Sequence, residues 1–341
     1  MNCNNLEVVL IHLGSRLPNY LTSNILNIQS QFPNIPLNLV IDELSSKGLR
    51  RIPGVNYYTY SPSSEVDRKL IDSFDHVSFR NGYWRLTYER LIALTDFHLT
   101  KPGARILHLE SDILIFKNFP MEEIRNLDSI HWSASDKERD VASLVFIPNQ
   151  QESLFLKAEL LSELSTGKFT SDMKTLHKIR QDFPDRVHLF PSIFSVARES
   201  GGIYDPAAYG MWLTGIDPRN NFGITKYFDT KTIDAANFYV RPQDYRYLLE
   251  DGNLFAESNL EERLPIYCLH IHSKNKSLLS PGYIKSLQKI LEKLEGQNTR
   301  ASFSFSILLT TLWMNIRQQT LLAYLGNIPI VRQIRMILNL W

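Results

Sequence analysis

Apolar and polar positions along the first part of the chain predict a strand, a helix and a second strand in quick succession. Residues 7–13 (EVVLIHL) form an apolar run that ends at Gly14, and Leu37–Ile41 (LNLVI) form another that ends at Asp42. Between them, Asn19–Gln31 carries apolar residues at helical spacing. This order, with its short connections, is typical of an α/β sheet with parallel strands, and ligands bind such sheets at the carboxyl ends of the strands.

The same two periodicities continue through the rest of the chain. They predict strands at residues 57–60, 105–116, 129–133, 142–147 and 266–271, and helices at residues 84–99, 151–164, 171–179 and 283–294. A segment punctuated by Gly and Pro spans residues 201–223. Strands alternating with helices predict the α/β fold class.

The run at residues 105–116 (RILHLESDILIF) is the most informative because two acids, Glu110 and Asp112, interrupt an otherwise apolar run and would stand at the end of a buried strand. Residues two apart on an extended segment point the same way, so both carboxylates can reach one ion. Mg²⁺ or Mn²⁺ prefers one or two carboxylates together with phosphate oxygens. An acid at a strand end is as often a turn or cap residue. Whether these two acids bind a metal must therefore be judged from the rest of the sequence.

Composition and charge narrow the function classes. The chain has 341 residues, and its 37 basic and 36 acidic residues nearly cancel, which gives no indication of nucleic-acid binding. The cysteines, Cys3 and Cys268, form neither a disulfide framework nor a paired metal-binding motif and fit a reducing compartment. The first residues lack the features of a signal peptide. We therefore expect a cytoplasmic protein.

The character of the chain changes near residue 280, so we predict a catalytic domain at residues 1–280 and a basic, amphipathic helical extension at residues 281–341. Residues 297–341 contain four arginines and no acid. Polar residues interrupt the apolar run at 303–325, which makes a spanning helix of about 20 apolar residues unfavourable. The extension could lie on the inner membrane surface as a peripheral anchor, or it could pack on the domain or on a partner subunit.

Three features occur in one order: a first strand–helix turn at residues 12–14 (HLG), the ESD motif and a late HIHSK at residues 270–274. With the blocks YWRLTYERLIAL, GGIYDPAAYGMWLTGIDPR and LHIHSKN, the chain resembles the GT-A class of nucleotide-sugar glycosyltransferases over about residues 6 to 280. The resemblance implies a Rossmann-like mixed central sheet flanked by helices. It also implies sugar transfer from a nucleotide-sugar donor, UDP-sugar in preference to GDP-sugar, to a glycan or lipid-linked glycan acceptor.

The resemblance further implies a metal site for Mn²⁺ or Mg²⁺. Asp112 would be the main ligand, and Glu110, which stands where the family usually has Asp, would bind directly or through water. One imidazole, from His270 or His272, would complete the site, and we favour His272 because it is nearer the strand end. Lys274 would contact the donor diphosphate. Each histidine has the alternative of an ordinary hydrogen-bonded core or rim residue.

The donor site would also involve the first strand ends. His12 and Gly14 form the first strand–helix turn, and Asp42 would meet the nucleoside. Either Arg85 or Arg90, on the helix before the ESD motif, would face the diphosphate, and Arg90 fits the resembled block better. The alternatives are a helix or turn cap for Asp42 and a solvated helix face for the arginines.

The acceptor side leaves three candidate bases open: Asp172, Asp205 and Asp217. An inverting enzyme needs a carboxylate within hydrogen-bond reach of the acceptor hydroxyl. Asp205 precedes Pro206, a pattern that is equally typical of a helix N-cap.

Two rival functions use the same residues. In a metal-dependent hydrolase, His108 would join Glu110, Asp112 and the late histidine pair in a two-metal site, although histidine pairs of that kind normally follow the first strand of a barrel. In a non-catalytic, membrane-docked scaffold of the same fold, the Glu at position 110 would be a sign of lost activity.

Overall fold

The computed structural model describes residues 5–14, 16–47, 49–72, 83–135, 137–167, 171–214, 240, 242–271 and 276–298. In chain order, its strands are β1 (Asn5–His12), β2 (Leu37–Ile41), β3 (Val55–Thr59), β4 (Ala104–Leu109), β5 (Ile113–Ile115), β6 (Ile130–Ala134), β7 (Asp140–Ile147), β8 (Val187–Leu189), β9 (Ile203–Tyr204), β10 (Arg246–Glu250), β11 (Asn253–Glu257) and β12 (Arg263–His270).

The helices are α1 (Asn19–Gln31), α2 (Glu43–Ser46), α3 (Glu65–Asp72), α4 (Tyr83–Leu99), α5 (Met121–Arg125), α6 (Gln150–Ser165), α7 (Asp172–Asp182), α8 (Phe194–Ser200), α9 (Ala208–Thr214) and α10 (Tyr283–Asn298), with short 3-10 turns at Pro242–Asp244 and Lys276–Leu279.

Seven strands form a large mixed sheet in the order β3-β2-β1-β4-β7-β6-β8. The first four strands of that order are mutually parallel, with Val9 of β1 opposite His108 of β4 and Ile11 opposite Val40 of β2. β7 runs antiparallel to both of its neighbours. Because β1, β2 and β4 are parallel and adjacent, their carboxyl ends meet at one edge, and the predicted α/β fold class is confirmed.

Helices cover both faces of the large sheet because its strands are apolar on both sides. On β4, Ile106 packs in a core with α4, α6 and α7, whereas Leu107 packs in a second core with α1 and α5. Both side chains are completely buried.

Four strands form a second, smaller sheet in the order β10-β11-β12-β5. Strand β9 also pairs with β12. Its strand β5 pairs antiparallel with β12, which places Ile113 opposite His270. The apolar run at residues 105–116 is therefore divided between two strands, and the acids follow the end of β4, as predicted. The chain leaves the large sheet after Leu109 and enters the small sheet at Ile113, so the acidic motif forms the turn between the two sheets.

Helix α10 follows the predicted domain boundary at residue 280 and packs into the core of the small sheet. Its Tyr283, Leu287 and Leu291 belong to the same apolar cluster as Leu114 of β5. Residues 299–341, including most of the predicted basic extension, lie outside the described residues. Among the helices of the described part, none combines the length and apolar composition that crossing a bilayer requires.

Candidate metal centre

Two carboxylates and one imidazole converge where the turn between β4 and β5 meets the end of β12. The Nε2 atom of His270 lies 3.2 Å from Oε2 of Glu110 and 3.3 Å from Oδ1 of Asp112. Glu110, Asp112 and His270 each offer one ligand atom, and these atoms lie within 4.8 Å of one another. We call these three residues the acidic cluster.

The backbone of the turn is fixed from two sides. Asn24 of α1, which is completely buried, donates from Nδ2 to the carbonyl oxygens of Ser111 at 3.1 Å and Ile113 at 2.9 Å. On the other side, the amide of Ile271 donates to the carbonyl oxygen of Asp112 at 2.9 Å. These contacts hold the Asp112 backbone beside the end of β12.

The position of His270 depends on Asp205, which is only 1% exposed. Its Oδ2 accepts from the amides of His270 at 3.0 Å and Gly210 at 2.7 Å. Its Oδ1 accepts from the amides of Ala207 at 2.9 Å and Tyr209 at 3.0 Å. Both oxygens are thus occupied by backbone donors, and the carboxylate ties the start of α9 to the end of β12.

Cations flank the acidic cluster on two sides. Arg90 of α4 donates to Oε1 of Glu110, and Nζ of Lys276 lies 2.8 Å from Oδ2 of Asp112. Burial would raise the pKa of Glu110, but Arg90 and His270 hold it below its ordinary value. Burial would lower the pKa of His270, but Asp112 and Glu110 raise it above its ordinary value.

The acidic cluster fits a hard divalent cation. Octahedral ligands about 2.1 Å from Mg²⁺ stand about 3 Å from one another, close to the separations of His270 Nε2 from the two carboxylate oxygens. The two carboxylates match the ligand preferences of both Mn²⁺ and Mg²⁺, whereas the imidazole is less typical of Mg²⁺ and favours a softer ion such as Mn²⁺. The residues present are therefore chemically suited to hold one such ion.

The hydrolase hypothesis needs His108 as a further metal ligand, but His108 lies in strand β4 inside the core. It is completely buried, its Nδ1 lies 3.0 Å from the carbonyl oxygen of Val9, and burial lowers its pKa to about 3. Within the described ranges, the group able to hold a metal consists of Glu110, Asp112 and His270 without His108. The described residues do not assemble the two-metal site.

Asp42 and Gly14 meet at the carboxyl edge of β1 and β2, as predicted from their strand ends. The amide of Gly14 donates to Oδ2 of Asp42 at 2.7 Å, and the amide of Ser45 donates to Oδ1 at 2.7 Å. Burial would raise the pKa of Asp42, but these hydrogen bonds hold it below its ordinary value, and nearby His12 contributes in the same direction. Asp42 is therefore the N-cap of α2 and part of this sheet edge at once.

The two candidate arginines have different surroundings. Arg90 contacts the acidic cluster through Glu110. Arg85 instead lies 3.2 Å from Asp72 and 3.5 Å from Glu89, its neighbour one turn along α4. The structure thus brings Arg90, rather than Arg85, to the predicted metal site.

Asp172, at the start of α7, is buried near Arg90 and Glu110. It is 5% exposed, and its Oδ1 has no hydrogen-bond partner within the described residues. Burial, reinforced by Glu110 and opposed by Arg90, raises the pKa of Asp172 to about 6. Three further predicted site residues, Asp217, His272 and Lys274, lie outside the described part of the chain.

The raised pKa of Asp172 predicts a pH-dependent gain in stability for Asp172→Asn. The folded state binds the proton more tightly than the unfolded state, so the stabilising contribution of Asp172 is present below about pH 4 and lost as the pH rises through about 6. We expect the neutral variant to exceed wild type by about 2 kcal/mol in free energy of unfolding at about pH 8, and to match it near pH 4.

Urea denaturation at both pH values measures this difference. Asp182→Asn, at the exposed end of the same helix, is the matched control and should change little at either pH. An Asp172→Asn variant that is less stable than wild type at the higher pH would contradict the prediction. It would show that the folded protein stabilises the ionised carboxylate of Asp172.

Sequence reasoning missed Lys276 and Asn24. Lys276 follows the predicted Lys274 by two residues in the same polar stretch. The sequence therefore predicted a lysine in this stretch but identified a different one. Asn24 lies in a helix with no motif around it, and only its contact with the turn at Ser111 reveals its role.

No family model matches the chain, and no curated protein matches its sequence. Among solved structures, one similar to this chain is a glycosyltransferase involved in glycosylation of the major capsid of PBCV-1, with 13% identity, a TM-score of 0.34 and coverage of 57% of this chain and 88% of that one. The apo form of the glycosyltransferase GlyE of Streptococcus pneumoniae TIGR4 is similar at 11% identity and a TM-score of 0.34, over 55% of this chain. The match spans 45% of GlyE, less than half of its length.

Proposed function

We propose that this protein is a metal-dependent glycosyltransferase that moves a sugar from a nucleoside diphosphate sugar to a hydroxyl acceptor. The observation that supports the proposal is the acidic cluster, in which Glu110, Asp112 and His270 converge beside β4. The carboxyl ends of β1 and β2 lie at the same edge of the sheet, and they carry Gly14 and Asp42. The proposal therefore has both a place for an ion and a neighbouring place for a nucleoside.

Departure of a nucleoside diphosphate requires that its developing negative charge be stabilised. A bound Mn²⁺ or Mg²⁺ supplies Lewis-acid stabilisation of that charge. Asp112, Glu110 and His270 would hold the ion. Arg90 and Lys276 reach the same carboxylates in the structure, so both cations are positioned to donate to diphosphate oxygens.

The remaining roles in the proposal follow from the sheet edge and from burial. Asp42 accepts hydrogen bonds from the nucleoside, with His12 and Gly14 beside it, and UDP is preferred to GDP. Of the two described candidate bases, Asp172 has an oxygen without a hydrogen-bond partner among the described residues, whereas Asp205 already accepts four backbone hydrogen bonds and is only 1% exposed. A carboxylate whose pKa lies near 6 suits proton transfer near neutral pH, so we assign the acceptor base to Asp172.

The acceptor in this proposal is a glycan or lipid-linked glycan. The arginines of residues 297–341, with no acid among them, suit an anionic membrane surface, which would place the enzyme near a lipid-linked acceptor.

Isothermal titration of the purified protein with UDP and GDP, each with and without Mn²⁺, tests the proposal. We expect UDP to bind with Mn²⁺ and to bind much more weakly after the metal is removed with EDTA. Binding of GDP alone would reassign the nucleotide class but keep the reaction class. Failure of both nucleotides to bind in the presence of Mn²⁺ would overturn the glycosyltransferase proposal.

A further inference from the structure

Helix α4 runs past the carboxyl ends of β1 and β4, where the donor site is proposed. A Cβ atom on Gly14 would lie 2.7 Å from Cδ1 of Leu86, so this part of α4 packs directly against the turn that follows β1. One helical turn further along, Arg90 reaches Glu110. Leu86 and Arg90 therefore place one face of α4 along the edge of the sheet that carries the proposed donor site.

Glu89 lies on the same face of α4, on the opposite side of Leu86 from Arg90. Successive residues of a helix are about 100° apart, so residue 89 stands about 60° to one side of residue 86, and residue 90 stands about 40° to the other side. In the sheet, β1 has β4 on one side and β2 on the other. Because Arg90 points toward β4, Glu89 is directed toward the end of β2, which carries Asp42.

The electrostatics of Glu89 agree with this placement. Burial raises the pKa of Glu89; Arg85 opposes the rise, and Asp42 and Asp72 reinforce it. One carboxylate raises the pKa of another only when the two lie near each other, so Glu89 and Asp42 act on the same part of the site. The Glu89 side chain is 12% exposed, which leaves it accessible to a bound molecule.

The two ends of the proposed donor site differ in charge. At the acidic cluster, Arg90 and Lys276 accompany the two carboxylates. At the other end, Arg85 lies 3.5 Å from Glu89 and 3.2 Å from Asp72, so one guanidinium group is shared between two carboxylates. A diphosphate is therefore favoured at the acidic cluster, whereas the end at Glu89 favours an uncharged group that donates hydrogen bonds.

A nucleoside is an uncharged group of this kind. Its ribose carries two hydroxyl groups, and a uracil base carries one imide N–H. We propose that Glu89 is a specificity-determining residue that accepts a hydrogen bond from one of these nucleoside donors, beside Asp42. This inference rests on the proposed function, because it assigns the nucleoside end of the same donor site.

Calorimetric titration of the full chain with nucleotide analogues in the presence of Mn²⁺ tests the proposal, on wild type and Glu89→Gln. UDP is compared with 2′,3′-dideoxy-UDP, which lacks both ribose hydroxyls, and with N3-methyl-UDP, which lacks the imide N–H. All of these ligands carry the same charge, so the comparison cancels the general effect of removing a carboxylate. We expect Glu89→Gln to bind UDP about tenfold more weakly than wild type, because it loses a hydrogen bond to a charged acceptor.

One of the two analogues should bind equally to wild type and to Glu89→Gln, since it lacks the donor that Glu89 contacts. Equal binding of the dideoxy compound identifies a ribose hydroxyl as that donor, and equal binding of the methylated compound identifies the base. If wild type prefers GDP, then 2′,3′-dideoxy-GDP and N1-methyl-GDP take the same places in the comparison.

Asp72→Asn is the matched control. It removes the other carboxylate that Arg85 contacts, and its side chain is 55% exposed, so the affinity for each nucleotide should stay within about threefold of wild type. Glu89→Gln should not lower the melting temperature at about pH 8, because burial disfavours the ionised carboxylate in the folded protein. A purely structural role of Glu89 would lower it.

Two results would overturn this inference and leave the proposed function intact. In the first, Glu89→Gln binds the nucleotide as tightly as wild type. In the second, the variant weakens the nucleotide and both of its analogues to the same extent. Absence of Mn²⁺-dependent binding of both UDP and GDP to wild type would instead overturn the proposed function, and this inference with it.

Discussion

Gly210→Ala is expected to destabilise the protein by about 3 kcal/mol or more, since it forces two backbone segments apart and breaks hydrogen bonds to a buried carboxylate. A Cβ atom on residue 210 would lie 2.0 Å from the carbonyl oxygen of His270 and 2.9 Å from Oδ2 of Asp205. The carbonyl belongs to the end of β12, so no side-chain rotation relieves the clash. Helix α9 must move away from His270, and the hydrogen bonds from its backbone amides to the Asp205 carboxylate must lengthen.

Urea denaturation followed by circular dichroism measures this loss. Gly282→Ala is the matched control, because a Cβ atom there meets nothing within 4 Å. We expect that control to lie within about 0.5 kcal/mol of wild type. Equal stabilities for the two variants would contradict the close approach of α9 and β12. A folded Gly210→Ala protein should also bind Mn²⁺ more weakly, because the displacement occurs at His270.

Asp112→Asn is expected to weaken Mn²⁺ binding by at least about 100-fold, since it removes an anionic ligand, and loss of outer-shell partners alone costs about 10–100-fold. Asparagine keeps the shape of the side chain but has neither the charge nor a second strong acceptor oxygen. In the wild-type protein, Oδ1 of Asp112 faces His270 and Oδ2 faces Lys276. UDP binding that depends on Mn²⁺ should be lost with the metal.

Titration with Mn²⁺ alone, followed by electron paramagnetic resonance of the free ion, measures the metal affinity directly. Asp128→Asn provides the control, because the Asp128 side chain is 97% exposed and pairs only distantly with Arg105. Thermal melts of both variants establish that each is folded. Mn²⁺ affinity within about threefold of wild type in Asp112→Asn would remove the acidic cluster from consideration as a metal site.

The start of the sheet was predictable because each element there carries a complete local signal. The helix predicted at Asn19–Gln31 and the strand at Leu37–Ile41 have the same bounds in the structure. In both elements the apolar residues follow a clear pattern, and a nearby proline, glycine or acidic residue marks where the element ends. The strand predicted at residues 7–13 is also present, as β1 (Asn5–His12).

The hairpin of β10 and β11 was missed although its signal is present. Asp251 and Gly252 adopt φ values of +50° and +81°, the left-handed pair that a two-residue hairpin turn requires. The flanking residues pair from Glu250 and Asn253 outward. An Asp-Gly pair between two apolar runs is the sequence feature that identifies such a hairpin.

The course of the chain at Glu110 could not be read from the sequence. A continuous apolar run predicts burial but does not state in which sheet each residue is buried. Leu109 packs in the core of the large sheet, whereas Leu114 packs with α9 and α10. Only the pairing of β5 with β12 shows that the acidic motif is a turn between sheets.

The α/β class, the first strands and the position of the two acids could be predicted because they depend on patterns within a few neighbouring residues. The partners of those acids depend on how distant parts of the chain fold together. His270 is 160 positions beyond Glu110 in the sequence, and it joins the acids because Ile113 pairs with it across two strands. Arg90, Lys276 and Asp205 act through contacts from separate elements, and contacts of that kind leave no periodic trace in the chain.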